Sequence, residues 1–180
     1  MERLEKKYNK EIIPALKKKF GFKNVMEVPK ITKVVLNVGV GKIKDDKKKI
    51  DQGAEDLKKI AGQAVVRSKA RKSISGFKVR QNQVVGLTCT LRGYRMYSFL
   101  DKLVNVALPR VRDFQGIALQ GFDGRGNYHL GFKEHIVFPE VPADSLENIF
   151  GLEVSVVTNA GKNEPSLELL KLMGFPFKNN

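Results

Sequence analysis

The chain has 180 residues, 42% of them hydrophobic, and a formal net charge of +14, a composition that excludes a disordered tail and suffices for one packed core. No apolar run approaches the ~20 residues that a membrane span requires, and the charged opening Met1–Lys7 lacks the apolar segment of a secretory signal. The single cysteine, Cys89, allows no internal disulfide, so a cytosolic, disulfide-free chain is expected.

Residues 2–20 are predicted to form a helix with Leu4, Tyr8, Ile12, Ala15 and Leu16 along one stripe. Pro14 is expected to kink or interrupt it, and Gly21 to end it. The β-branched run 30–38 predicts a strand. Residues 47–61 follow as a helix with Ile50, Ala54, Leu57 and Ala61 on one side, then a short strand at 64–68, a basic loop at 69–83 and a second clear strand at 84–92. Residues 95–108 read as a buried helix through Phe99, Leu100, Leu103, Val104, Ala107 and Leu108, with Pro109 closing it or starting a turn. The glycine-rich stretch 116–131 predicts turns and a hairpin, and 153–158 a further strand. The last helix is placed at 165–173, with Pro165 in its first turn and Gly174 at its C-terminal cap. Strands and helices mixed without strict βαβ order predict an α+β fold: a mainly antiparallel sheet with helices packed on one face and the other face open. One domain is expected over 1–180, with a basic half, 1–100, and a neutral half, 101–180, that completes the core.

The charge is unevenly spread. Residues 1–80 hold 23 Lys and Arg against 9 Asp and Glu, whereas 81–180 hold 10 of each. From Leu57 to Leu100 there is no acidic residue, yet ten basic ones occur. Solvated surfaces usually intersperse both signs, so an acid-free stretch points to a polyanion, whose condensed counterions are released on binding. A membrane surface would need an amphipathic basic helix or a lipid anchor, and neither is evident, so no membrane partner is expected.

Side chains alternate along a strand. Val34, Leu36 and Val38 share one face of the first strand, and Lys33, Val35 and Asn37 the other. In the second clear strand Val85, Leu87, Cys89 and Leu91 oppose Thr88, Thr90 and Arg92. Each strand therefore has one apolar and one mainly polar face. The polar face is either an ordinary wet surface or a binding surface whose donors suit phosphate and ribose oxygens. The segment 67–83 mixes six basic residues with small ones, amides and Phe77. Two readings stand: a loop that tracks an RNA backbone with Phe77 stacking on a base or sugar, or a solvated loop with Phe77 tucked into the core.

Enzyme signatures are weak. Val38-Gly39-Val40-Gly41-Lys42 hints at a phosphate loop, but Leu36 and Ile43 stand where that motif needs glycine and a hydroxyl residue. His129 and His135 lack companions at metal-ligand spacing and read as surface or half-buried histidines. Cys89 reads as a core thiol, and Asp123, beside glycines, as a turn former. No metal, cofactor, small-molecule substrate or catalytic residue is expected. An RNA-acting enzyme would need carboxylates where RNA lies, and cleavage of RNA with magnesium would reveal one.

Three segments carry a resemblance. They are Pro29–Gly41; Arg71-Lys72-Ser73-Ile74-Ser75-Gly76-Phe77-Lys78-Val79-Arg80 with Thr90-Leu91-Arg92-Gly93; and Pro109-Arg110-Val111-Arg112-Asp113-Phe114 with Phe122–Tyr128. The closing Gly174-Phe175-Pro176-Phe177 also fits. Over essentially its whole length the chain resembles the universal 5S-rRNA-binding family, bacterial large-subunit ribosomal protein five. The resemblance implies a cytoplasmic ribosomal protein, monomeric outside the ribosome, that anchors 5S rRNA to 23S rRNA in the central protuberance. It implies that Asn37, Gln63 and Thr90 grip 5S rRNA, with Lys33, Thr88 and Arg92 as neighbours. Gln63 rests on the resemblance alone. It further implies that the loop with Arg71, Lys72, Ser73, Gly76, Phe77, Lys78 and Arg80 approaches P-site tRNA. A bridge to small-subunit protein thirteen is expected from the 110–147 region, with Arg110, Arg112, Arg125, Glu134 and Glu140 as its candidates.

Overall fold

The computed structural model describes residues 3–141 and 149–178. Glu2, at the predicted start of the first helix, and 142–147 of the expected bridge region lie outside the described residues. The elements in chain order are α1 (Arg3–Lys7), α2 (Ile13–Phe20), β1 (Ile31–Gly39), α3 (Lys47–Ala61), β2 (Val66–Lys69), β3 (Val84–Leu91), α4 (Gly93–Lys102), β4 (Tyr128–Phe132), β5 (Leu152–Thr158) and α5 (Asn163–Leu172).

The strands form one sheet in the order β2-β3-β1-β5-β4. Every neighbouring pair runs antiparallel, as the cross-strand contacts show. Val66 opposes Thr88 and Ser68 opposes Gly86, with a bulge before Lys69. Thr88 Oγ1 donates to the Leu36 carbonyl at 3.2 Å, while the Val40 amide reaches the Val85 carbonyl at 3.1 Å. Thr32 Oγ1 meets the Val157 carbonyl at 3.1 Å and Asn37 meets Glu153. His129 meets Ser155, and Asn127, just before β4, meets Thr158. The predicted α+β class with an antiparallel sheet is the observed one.

The chain divides into two compact units. The first is built from Met1–Val34, Leu91–Leu130 and Ser155–Asn180, the second from Val35–Thr90 and Gly131–Val154. In the first unit α1 packs on α4 and α2 on α5. Leu4, Tyr8, Ile12 and Leu16 are buried, but Ala15 is exposed, contrary to the predicted stripe. The cause is a π turn at Tyr8–Ile12, whose extra residue shifts the helical face. Pro14, with no amide hydrogen and a ring that crowds the preceding turn, sits at the start of α2 just after it. The predicted interruption is thus a widened turn. Likewise α4 starts at Gly93, two residues early, and ends in a π turn at Leu103–Ala107 and a 3-10 turn that contains Pro109.

In the second unit α3 spans the residues its caps dictate. Asp46 accepts the Lys49 amide at 3.2 Å, and Gly62, left-handed at φ 62°, closes the C-terminus. Its buried stripe presses Gly53 against the sheet: a Cβ there would lie 3.6 Å from Leu87 and 3.5 Å from Phe150. Strand β2 begins at Val66, two residues later than predicted.

His135 departs from its predicted place. It is wholly buried, with its ring 3.7 Å from Phe150 centroid to centroid and stacked at 8°. The Phe150 amide donates to Nδ1 at 3.4 Å, and Nε2 lies 3.9 Å from Asp56 Oδ2. His135 opens a three-residue 3-10 turn, His135–Val137, too short to carry a periodic signal that would announce its burial. Burial lowers its pKa from 6.5, against the smaller opposing pull of Asp56. The unfolded chain therefore takes up a proton that the fold resists. Stability should be level above pH 6.5 and fall as pH drops below it towards the folded-state pKa. Thermal melts from pH 7.5 down to about pH 5 check this, since His135→Gln should flatten the slope there.

Candidate nucleic-acid interface

The polar sheet face is uncovered where the second unit displays it. On β1, Val34, Leu36 and Val38 are fully buried while Asn37 is exposed. On β3, Leu87, Cys89 and Leu91 are buried while Thr88 and Thr90 are half-buried. Alternation placed these residues on the correct faces, but Val35 puts an apolar residue on the polar face of β1, and Val85, expected on the apolar face of β3, is half-buried near the strand's start.

Four predicted contacts come together in this unit. Asn37 and Thr88 lie on neighbouring strands, tied by the Thr88 hydroxyl on the Leu36 carbonyl. Gln63, half-buried in the link after Gly62, donates from Nε2 to the Thr90 carbonyl at 3.1 Å. The residue that rested on resemblance alone is thereby bonded to one that the strand pattern found. Val66, 63% exposed, stands opposite Thr88 in register and adds an apolar surface suited to a ribose or base.

Lys33 and Arg92 belong to the first unit. Lys33 is half-buried on β1. Arg92 is exposed, but β3 stops at Leu91 and Arg92 is the N-cap of α4, so it is not the strand residue expected. Gly93 adopts φ 56° directly after it, a left-handed conformation that breaks the strand.

One residue on this face went unforeseen. Strand β5 buries Leu152, Val154 and Val156 and exposes Glu153, whose Oε2 accepts from Asn37 Nδ2 at 3.4 Å. The acid-free stretch of sequence therefore does not make an acid-free surface. Strand alternation at 152–158 carried the signal, but only the strand order places β5 beside β1. A carboxylate here repels phosphates, so Glu153→Gln is expected to strengthen RNA binding generally, by about 2–5-fold at low salt, as filter binding would measure.

The basic loop has its own framework. Ala70 and Gln83 pair through the Ala70 amide at 2.9 Å, and Ile74 and Val79 form a reciprocal bridge. The Ser73 hydroxyl accepts the Gln81 amide at 2.9 Å. Arg71, Lys72, Ser73, Gly76, Phe77, Lys78 and Arg80 are all exposed. Phe77 is 74% exposed, which removes the reading that tucks it into the core.

Of the bridge candidates, Arg110, Arg112 and Arg125 are exposed in the first unit, and Glu134 and Glu140 are half-buried in the second. Asp123 is the turn former predicted. Its carboxylate accepts the Arg125 and Asn127 amides at 2.8 and 3.0 Å and the Asn127 side chain at 2.6 Å. Those bonds, the Asn127 side chain foremost, hold its pKa below the usual carboxylate range. Cys89 is buried, as expected of a core thiol. No group of three or more metal-ligating side chains occurs among the described residues, and no described helix is long and apolar enough to cross a membrane.

Two family models match the chain. Residues 24–80 match the model described as ribosomal protein L5, and residues 84–177 match the model for the C-terminus of the same ribosomal protein family. The large ribosomal subunit proteins uL5 of Thermoanaerobacter sp. (strain X514) and Clostridium perfringens (strain SM101 / Type A) are each 50% identical over 177 residues, covering 98% of this chain and 99% of theirs. That of Clostridium tetani (strain Massachusetts / E88) is 51% identical over 175 residues, 97% of each chain.

Proposed function

The chain belongs to the ribosomal protein L5 family and is a structural constituent of the cytoplasmic ribosome, not an enzyme; from that premise we propose that its open sheet face grips 5S rRNA in the large subunit and helps attach it to 23S rRNA. The observation that carries this reading is the display of Asn37, Thr88 and Thr90 on an uncovered sheet face with Gln63 bonded beside them. Hydroxyls and amides on a rigid sheet suit ribose and phosphate oxygens, and their fixed spacing selects a folded RNA by shape. The work is binding, with no bond made or broken. Long-range attraction comes from the basic surplus of residues 1–80.

In the same reading the loop 71–80 reaches P-site tRNA, with Phe77 as a stacking surface and Lys78 and Arg80 as phosphate contacts. Arg110, Arg112, Arg125, Glu134 and Glu140 remain the candidates for the contact with small-subunit protein thirteen. Lys78→Ala with Arg80→Ala is expected to weaken tRNA binding by about 5–20-fold through two lost phosphate contacts, while 5S rRNA binding stays within about twofold. Collapse of 5S rRNA affinity in that double variant would overturn the division of labour.

The reading as a whole is tested by competition among 5S rRNA, tRNA and duplex DNA for the protein at near-physiological salt. 5S rRNA should outcompete duplex DNA by about 100-fold or more. Equal affinity would reduce the protein to a generic polycation.

A further inference from the structure

We propose that Lys44 is a positioning residue that straps the tip of the basic loop into its displayed shape before any RNA arrives. The proposal rests on the reading that this loop meets RNA. Lys44 lies in the turn after β1, more than thirty positions before the loop tip. Its Nζ donates to the Phe77 carbonyl at 2.5 Å and to the Lys78 carbonyl at 2.6 Å.

Those carbonyls stand at the end of the 3-10 turn Ser75–Phe77, where Lys78 adopts a left-handed φ of 49°. The end of a helical turn leaves carbonyls without intrahelical partners, and a cation is their natural complement. The left-handed lysine is itself strained, and its carbonyl is one of the two that Lys44 holds. The neighbouring Asp45 makes a second tie, accepting Gln83 Nε2 at 3.0 Å at the base of the same loop. Gln83 in turn accepts the Arg80 amide through Oε1 at 3.1 Å. The segment 44–45 thus holds the loop at tip and base.

The consequence is preorganisation. A loop of exposed lysines and arginines tends to splay under its own repulsion, and ordering it on binding would weaken affinity. Lys44 commits two of its three ammonium donors to backbone carbonyls, so its main role is to hold the loop rather than to contact a phosphate. That separates the strap from the simpler role of one more RNA-binding lysine. A phosphate contact contributes to the salt dependence of binding, whereas a strap acts equally at all salt concentrations.

The test uses the full chain as Lys44→Met and Lys44→Arg. In the free protein, amide exchange at Lys78 and Val79 should quicken about tenfold in Lys44→Met and return towards wild type in Lys44→Arg, which keeps charge and donors. Affinity for tRNA should fall about 3–10-fold in Lys44→Met, while the slope of log affinity against log salt changes by well under the unit expected for a lost phosphate contact. Unchanged exchange, or a slope reduced by about one, would overturn the strap. Faster exchange with wild-type tRNA affinity would uphold the strap and overturn the loop's assignment to tRNA.

Discussion

Asn37→Ala combined with Thr90→Ala is expected to weaken 5S rRNA binding about 10–100-fold while the protein stays folded. In the proposed interface each substitution would remove one side-chain hydrogen bond to ribose or phosphate, worth about 1–1.5 kcal/mol, or roughly tenfold in affinity. Neither side chain is in the apolar core: Asn37 is exposed and Thr90 half-buried. The Gln63 bond goes to the Thr90 backbone carbonyl and survives the substitution. Filter binding beside a thermal melt separates the two outcomes, and an unchanged melt with wild-type affinity would remove the sheet face from the interface. Asn37→Ala also frees Glu153 from a donor, so its effect should exceed that of Thr90→Ala and diminish when Glu153→Gln is added.

Gly126→Ala should destabilise the first unit by about 2–4 kcal/mol, lowering the melting temperature by about 5–15 °C. Gly126 adopts φ 87°, and a Cβ there would lie 2.8 Å from the Lys162 carbonyl oxygen and 3.1 Å from Ala160 Cβ. Backbone must shift to admit it. The same glycine is a junction, since its carbonyl accepts the Thr158 and Ser166 hydroxyls at 2.8 and 2.6 Å and its amide donates to Asn163 at 3.1 Å. A displaced turn breaks all three bonds, which join the end of β5 and the start of α5. Gly124, two residues away, has φ 84° but open space around it, so Gly124→Ala carries backbone strain alone, about 1 kcal/mol. Differential scanning calorimetry of both variants checks the contrast, and equal losses would show that the junction carries no weight.

What could be read in the sequence follows the range of the interactions involved. Helix α3 was legible because its apolar stripe, Ile50, Ala54, Leu57 and Ala61, is a local signal. Strands β1 and β3 and their faces were legible because alternation is local. So were Asn37, Thr88 and Thr90 as polar display, and Asp123 as a turn. The two π turns were not, because a proline announces an interruption without saying how the helix accommodates it. Glu153, His135 and Lys44 share a different cause. Each takes its meaning from a residue over ten positions away in sequence: Asn37 for Glu153, Asp56 and Phe150 for His135, Phe77 and Lys78 for Lys44. Strand order and loop docking set those pairings, and no single-strand pattern encodes them. Hence charge counted along the chain overstated how free of carboxylates the sheet surface is.

Methyl NMR of the protein titrated with 5S rRNA reads the contact surface directly. The Thr88 and Thr90 methyls, on the uncovered side of β3, should shift and broaden at stoichiometric RNA, while the Leu36 and Leu87 methyls in the core beneath keep their free-state positions. Shifts confined to residues 71–80, with both threonine methyls unmoved, would contradict the assignment of 5S rRNA to the sheet.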